Sequence, residues 1–72
     1  MRFDGQRIRN LREKYGHSLG MVCRLLEIRC GYKISRSTLC QWEHNRYLPN
    51  LRGLMAICEL YGVDMDYFFP EL

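Results

Sequence analysis

The chain has 72 residues, 47% of them apolar, with two prolines, four cysteines and a formal net charge of +3. Such a chain makes one small domain, residues 1–72, burying roughly 60% of the surface its unfolded form exposes. The composition excludes a disordered tail, and no apolar run reaches the ~18 residues of a membrane span.

The first seven residues lack the apolar stretch of a secretory leader, so a cytoplasmic protein is expected. Cys23, Cys30, Cys40 and Cys58 each fall within an apolar helical pattern. Reduced thiols, mostly in the core, are therefore expected rather than disulfides.

Helix one is predicted over residues 6–15, with Asp4 as its cap, Gly16 as its stop and Ile8, Leu11 and Tyr15 as one apolar stripe. Ser18 caps helix two, which turns Val22, Leu25, Leu26 and Cys30 inward and stops at Gly31. Gly20, in its first turn, weakens the helix start. Helix three follows its cap Ser35 and runs to Glu43, with Leu39 and Trp42 on its buried edge. Ile34, just before that cap, packs back and fixes the entry angle. Helix four follows Pro49, with Asn50 as cap, Leu51, Leu54, Met55, Cys58 and Tyr61 inward, and Gly62 as terminator. A last short helix starts near Asp64, includes Tyr67, Phe68 and Phe69, and ends at Pro70. No segment alternates with period two, so the expected fold class is all-α, a compact five-helix bundle without a sheet.

Two features of this layout concern function. Arg36, Ser37 and Gln41 project from another face of helix three than its buried edge. Arginine reads guanine O6 and N7, and glutamine reads adenine N6 and N7, each by paired hydrogen bonds in the DNA major groove. Basic residues also crowd helix one (Arg7, Arg9, Arg12, Lys14) and recur at Arg24, Arg29, Lys33, Arg36, Arg46 and Arg52, whereas residues 64–72 hold three acids and no base. That distribution suits phosphate at one end of the chain only. Asn45 and Arg46, in the irregular stretch after helix three, are placed to meet the DNA backbone.

With the helices placed, the pattern resembles the lambda-repressor/Cro-like helix-turn-helix family, also called XRE-like. The matching segments are Arg7-Ile8-Arg9-Asn10-Leu11-Arg12, Ser18, Ile34-Ser35-Arg36-Ser37-Thr38-Leu39, Trp42-Glu43, Leu48-Pro49 and Gly62-Val63-Asp64-Met65-Asp66. The resemblance implies that helices two and three form the reading unit, helix three lying in the major groove. It assigns base reading to Arg36, Ser37 and Gln41. DNA-backbone contacts fall to Ser18, the Leu19 backbone, Thr38, His44, Asn45 and Arg46. It also implies a structural pair, Arg12 with Glu43, that fixes helix three.

Two departures stand out. The family usually has Gln at Leu19, and leucine cannot make that polar contact. The spacing from Ser18 to Gly31 exceeds the usual by about four residues, near one helical turn, and the following turn by about two. A long-turn subgroup with Gly-aromatic-x-Ile-Ser-Arg-Ser-Thr here is similar to Gly31-Tyr32-Lys33-Ile34-Ser35-Arg36-Ser37-Thr38.

Other readings of single residues are plainer. Trp42 is expected to fill the core rather than stack on a base. Cys40 and His44 stand four apart, but no second pair has metal-ligand spacing, so no metal and no cofactor is expected. His17 reads as a turn residue. One ring of Phe68 and Phe69 is expected in the core and the other available to a partner. No phosphate loop, Ser/His/Asp constellation or carboxylate cluster suggests an enzyme.

The expected function is therefore a sequence-specific DNA-binding transcriptional regulator. It would be a repressor of the Cro/C1 type that binds a two-fold operator on double-stranded DNA as a homodimer, placing it on the nucleoid. The alternative is a protein-interaction module of the same fold, antitoxin-like or an adaptor, that engages its partner through residues 67–72.

Overall fold

The computed structural model describes residues 2–71; Met1 and Leu72, which the range 1–72 and the proposed partner segment include, lie outside the described residues. Four α-helices follow one another: α1 (Gln6–Lys14), α2 (Leu19–Cys30), α3 (Arg36–Glu43) and α4 (Leu51–Tyr61). The predicted fifth helix is instead a single 3₁₀ turn, Met65–Phe68. Between Asp64 and Pro70 there is room for one turn only, and Pro70 cannot continue a helix. No strand occurs among the described residues.

Polar caps and left-handed stops set the helix boundaries. Ser18 Oγ accepts from the Met21 N–H, Ser35 Oγ from the Thr38 N–H, and Asn50 Oδ1 from the Gly53 N–H. Each satisfies one backbone donor that the first turn leaves free. Gly16, Gly31 and Gly62 follow their helices with φ of 69°, 63° and 66°. Asn45 does the same after α3 with φ 60°. There the Asn45 N–H bonds to the Trp42 carbonyl and the Arg46 N–H to that of Gln41, an asparagine version of the usual glycine stop. The start of α1 differs from expectation: Gly5 is its cap, and Asp4 Oδ1 accepts from the Gln6 N–H one residue further in.

α2 packs on α3 and α4, α1 packs on α3, and the 3₁₀ turn closes against α1 and α4. The core takes Ile8 and Leu11 from α1, Val22 and Leu26 from α2, and Leu39 and Trp42 from α3. Leu54, Ala56, Ile57, Tyr61, Phe68 and Phe3 complete it. Ile34 and Leu19 pack against its edge. Phe68 is fully buried, and Phe69 is half-buried with its ring edge-on to Phe3.

Trp42 sets the orientation of α4. A Cβ on Gly53 would lie 2.6 Å from the Trp42 ring carbon Cη2 and 3.1 Å from both Asn50 Oδ1 and Tyr32 Oη. The ring therefore rests directly on the α4 backbone. That seat turns Gly53, Leu54, Ala56, Ile57 and Tyr61 inward. Leu51 and Met55, assigned to the inner face from their spacing, are instead 64% and 54% exposed. Tyr15 is also no part of the α1 stripe; it lies beyond the helix, 53% exposed.

The lengthened turn is fastened as well. Tyr32 Oη donates to Asn50 Oδ1 at 3.1 Å, joining the turn to the cap of α4. The Cys30 thiol points to the Ala56 carbonyl at 3.5 Å.

Alanine ordinarily improves a helix by up to ~1 kcal/mol over glycine. At Gly53 the obstacle is a buried ring flanked by two hydrogen-bonded side-chain oxygens, so Gly53→Ala should lower stability by about 1–3 kcal/mol. Urea unfolding followed by Trp42 fluorescence measures this, and an unchanged or raised midpoint would refute the seat.

Candidate nucleic-acid interface

α3 has two opposed faces. Leu39, Trp42 and Glu43 are buried. Arg36 and Ser37 are exposed, Gln41 and Thr38 are half-buried, and His44 is exposed just past the helix. Ser37 and Gln41 are one turn apart, as are Cys40 and His44, so these side chains line a strip along the helix. Cys40, Gln41, His44 and Arg46 border a shallow groove at its far end.

The strip carries no negative charge. The sole acid of α3, Glu43, faces inward, and neither α2 nor α3 has an acid in its first turn. Arg36, Arg46, Arg24 and Lys33 are all exposed. Helix starts add partial positive charge at both N-termini. The outer strip of α3 and the acid-free first turns of α2 and α3 therefore favour an anion.

The inward acid is held by Arg12. Arg12 Nε donates to Glu43 Oε2 at 2.8 Å and Nη2 to Oε1 at 3.1 Å, a two-pronged pair between the end of α1 and the end of α3. Nη1 of the same group donates to the His17 carbonyl at 3.1 Å, fixing the α1–α2 turn. The side chains are 14% and 2% exposed. The hydrogen bond to Glu43, and the charge of that carboxylate, raise the Arg12 pKa despite its burial.

His17 does more than turn the chain. Its Nδ1 lies 3.0 Å from Tyr61 Oη, and its ring stacks against Tyr15. Burial pushes the Tyr61 hydroxyl up to about 12. Nothing in the sequence joins His17 to Tyr61; only the packing of α4 against the first turn does so.

Several predicted contact residues have partners within the chain. Thr38 Oγ1 is 3.0 Å from Ser35 Oγ and so faces the cap. Asn45 Oδ1 accepts from the Gly5 N–H at 2.8 Å, tying the N-terminal segment to the end of α3. Leu19 is half-buried against the core. Ser18 Oγ is engaged by Met21, and Ser18 itself is exposed. His44 Nδ1 lies 2.8 Å from the Cys40 carbonyl and 3.6 Å from its sulfur. Among the described residues, no three His, Cys, Asp or Glu side chains gather as a metal site. The four cysteines are free and half-buried, and burial raises the thiol pKa of Cys23, Cys30 and Cys58.

A capped helix, a turn and a second capped helix with an acid-free outer strip make a helix-turn-helix arrangement. A family model described as a helix-turn-helix domain, of the XRE-like type, matches residues 5–70. The chain belongs to this family. Neither a curated protein nor a solved structure gave a significant match. Membership in a helix-turn-helix family points to DNA as the partner. No helix among the described residues is long and apolar enough to cross a membrane.

Removing Arg12 strands a carboxylate that has almost no contact with water. Arg12→Met should therefore cost about 3–5 kcal/mol, while Arg12→Met combined with Glu43→Leu should recover most of the loss. Urea midpoints of the two variants decide it: equal loss in both would show that the pair contributes packing rather than charge compensation.

Proposed function

We propose that this helix-turn-helix chain works as one domain, residues 1–72, in a sequence-specific DNA-binding transcriptional regulator. It acts as a repressor, bound as a homodimer to a two-fold operator, in the cytoplasm and on the nucleoid. The observation that carries this reading is the acid-free outer strip of α3 in a chain matched by the family model over residues 5–70. Arg36, Ser37 and Gln41 meet base edges, since they stand on that strip and can form the paired bonds that distinguish guanine and adenine. Arg46 and the exposed edge of His44 meet phosphates and sugars, joined by Ser18, the Leu19 backbone, Thr38 and Asn45 through the groups that their internal hydrogen bonds leave over. Those contacts set register without reading sequence.

The 12-residue α2 and the open turn after it support placing the chain in the long-turn subgroup of lambda-repressor/Cro-like domains. The added length leaves Val22 and Leu26 buried together on α2. A single α3 of eight residues spans few base pairs, which is the reason for a dimer.

A second reading has one observation in its favour. Leu48, Pro49, Leu51, Leu54, Met65 and Phe69, together with Asp66, line a largely apolar groove beside the C-terminal segment. A protein-interaction module of the same fold would use such a surface.

Selection of bound sites from a random duplex pool at fixed near-physiological salt separates the two. A two-fold-symmetric motif is expected; bulk, salt-sensitive binding without a motif would refute the regulator. On the selected site, Arg36→Ala or Gln41→Ala should each cost about 1–3 kcal/mol and relax preference at one base position. Arg46→Ala should weaken all sequences alike and reduce the salt slope by about one.

A further inference from the structure

Gly20 is the one glycine of the chain that the scaffold itself does not need. Gly16, Gly31 and Gly62 have positive φ, and Gly5 and Gly53 lie against the backbone and ring of Trp42. Gly20 has neither property. It sits in the first turn of α2, where a residue with a better helix propensity would strengthen the helix. What lies over it is Arg36, from the first turn of α3. A Cβ at Gly20 would come 3.3 Å from Arg36 Cδ and 3.9 Å from Nη1. The first distance is tighter than ordinary van der Waals contact, so a side chain there would press the arginine stem aside by a few tenths of an ångström.

From this we infer that Gly20 is a positioning residue for DNA recognition: its bare backbone is the bed on which the Arg36 stem lies, fixing the guanidinium at the α2–α3 junction. The inference rests on the proposed reading role of Arg36 and adds what holds it. Arg36 forms no ion pair among the described residues, so no acid competes with the bed for its placement. A stem that rests on the Gly20 backbone in the free chain loses less rotamer freedom when the arginine meets a base or phosphate. The arrangement also bears on Leu19, which is turned to the core and cannot reach outward with a polar group. An arginine from α3 laid across the start of α2 supplies a polar group at that place instead.

The test is a cycle of Gly20→Ala, Arg36→Ala and the double variant, each measured against the selected duplex and against a duplex altered at the base assigned to Arg36. Gly20→Ala should melt no lower than the parent chain, because the obstructing atoms belong to the exposed Arg36 stem, which can yield without moving the core. It should lose roughly tenfold in base discrimination, a large share of what one paired contact supplies. Its binding to unrelated duplex should be unchanged. Added to Arg36→Ala, it should have no further effect. Full discrimination in Gly20→Ala, or an equal loss in the Arg36→Ala background, would overturn the inference. A DNA-free arm keeps it separate from the proposed function: NMR relaxation at Arg36 Nε should show an ordered arm that becomes mobile in Gly20→Ala. If the parent chain selects no motif, the regulator reading falls, and a mobile Arg36 Nε in the parent chain would overturn this inference as well.

Discussion

The two-pronged bond from Arg12 to Glu43 is the interaction on which the arrangement of helices depends. One guanidinium joins three segments: α1, which carries it, the end of α3 through Glu43, and the α1–α2 turn through the His17 carbonyl. Its planar fork suits this task, because three separate N–H groups leave it in fixed directions. Burial takes away the water that would otherwise solvate both charges, and the pair repays that loss only while its geometry is kept. Such a bond contributes less to net stability than to selecting one docking of α1 on α3. It also removes from the outer strip the only negative charge α3 carries. A single buried bond thus serves the position of the helix and the sign of the surface it presents.

The neighbouring residue works by contact instead of charge. Trp42 is 5% exposed, its ring seated on Gly53 and its carbonyl approached by Gly5. Asn45, one turn on, closes the helix by its left-handed backbone and holds Gly5 by its side chain. Within a few residues the chain stops α3, docks its last turn against α4 and fastens the N-terminal segment. An isolated helix of eight residues is unstable in water. The strip bearing Arg36, Ser37 and Gln41 exists as an ordered surface because the other side of the same helix is held in this way.

Local signals account for the parts of the fold that were legible in the sequence. Ser18, Ser35 and Asn50 cap their helices, and Gly16, Gly31 and Gly62 stop them, because each acts through the backbone within four residues of itself. Apolar periodicity located Ile8, Leu11, Val22, Leu26, Leu39 and Trp42 inside for the same reason. It failed at α4, where Leu51 and Met55 share the spacing of an inner face but the fit of Trp42 on Gly53 decides the rotation. It failed at Tyr15, where the helix ends one residue early. Five residues before Pro70 gave a 3₁₀ turn where a helix was expected. In the candidate interface, residue type and helical period placed Arg36, Ser37 and Gln41 on one side of α3. The double attachment of Asn45, the His17–Tyr61 contact and the approach of Arg36 to Gly20 depend on distant segments meeting, and no period reports that.

The glycines show how one residue type divides between scaffold and surface. Gly53 and Gly20 both occupy first turns of helices, and composition cannot tell them apart. What differs is the neighbour. At Gly53 it is a buried indole with nowhere to move, so absence of a side chain is a condition of folding. At Gly20 it is the stem of an exposed arginine that could swing into water, so absence of a side chain has no bearing on whether the chain folds. A small helix-turn-helix chain has little core to spare, and at a residue that weakens a helix without serving the core the neighbour that lies on it is what distinguishes the position. For Gly20 that is the one arginine standing at the junction of the two helices.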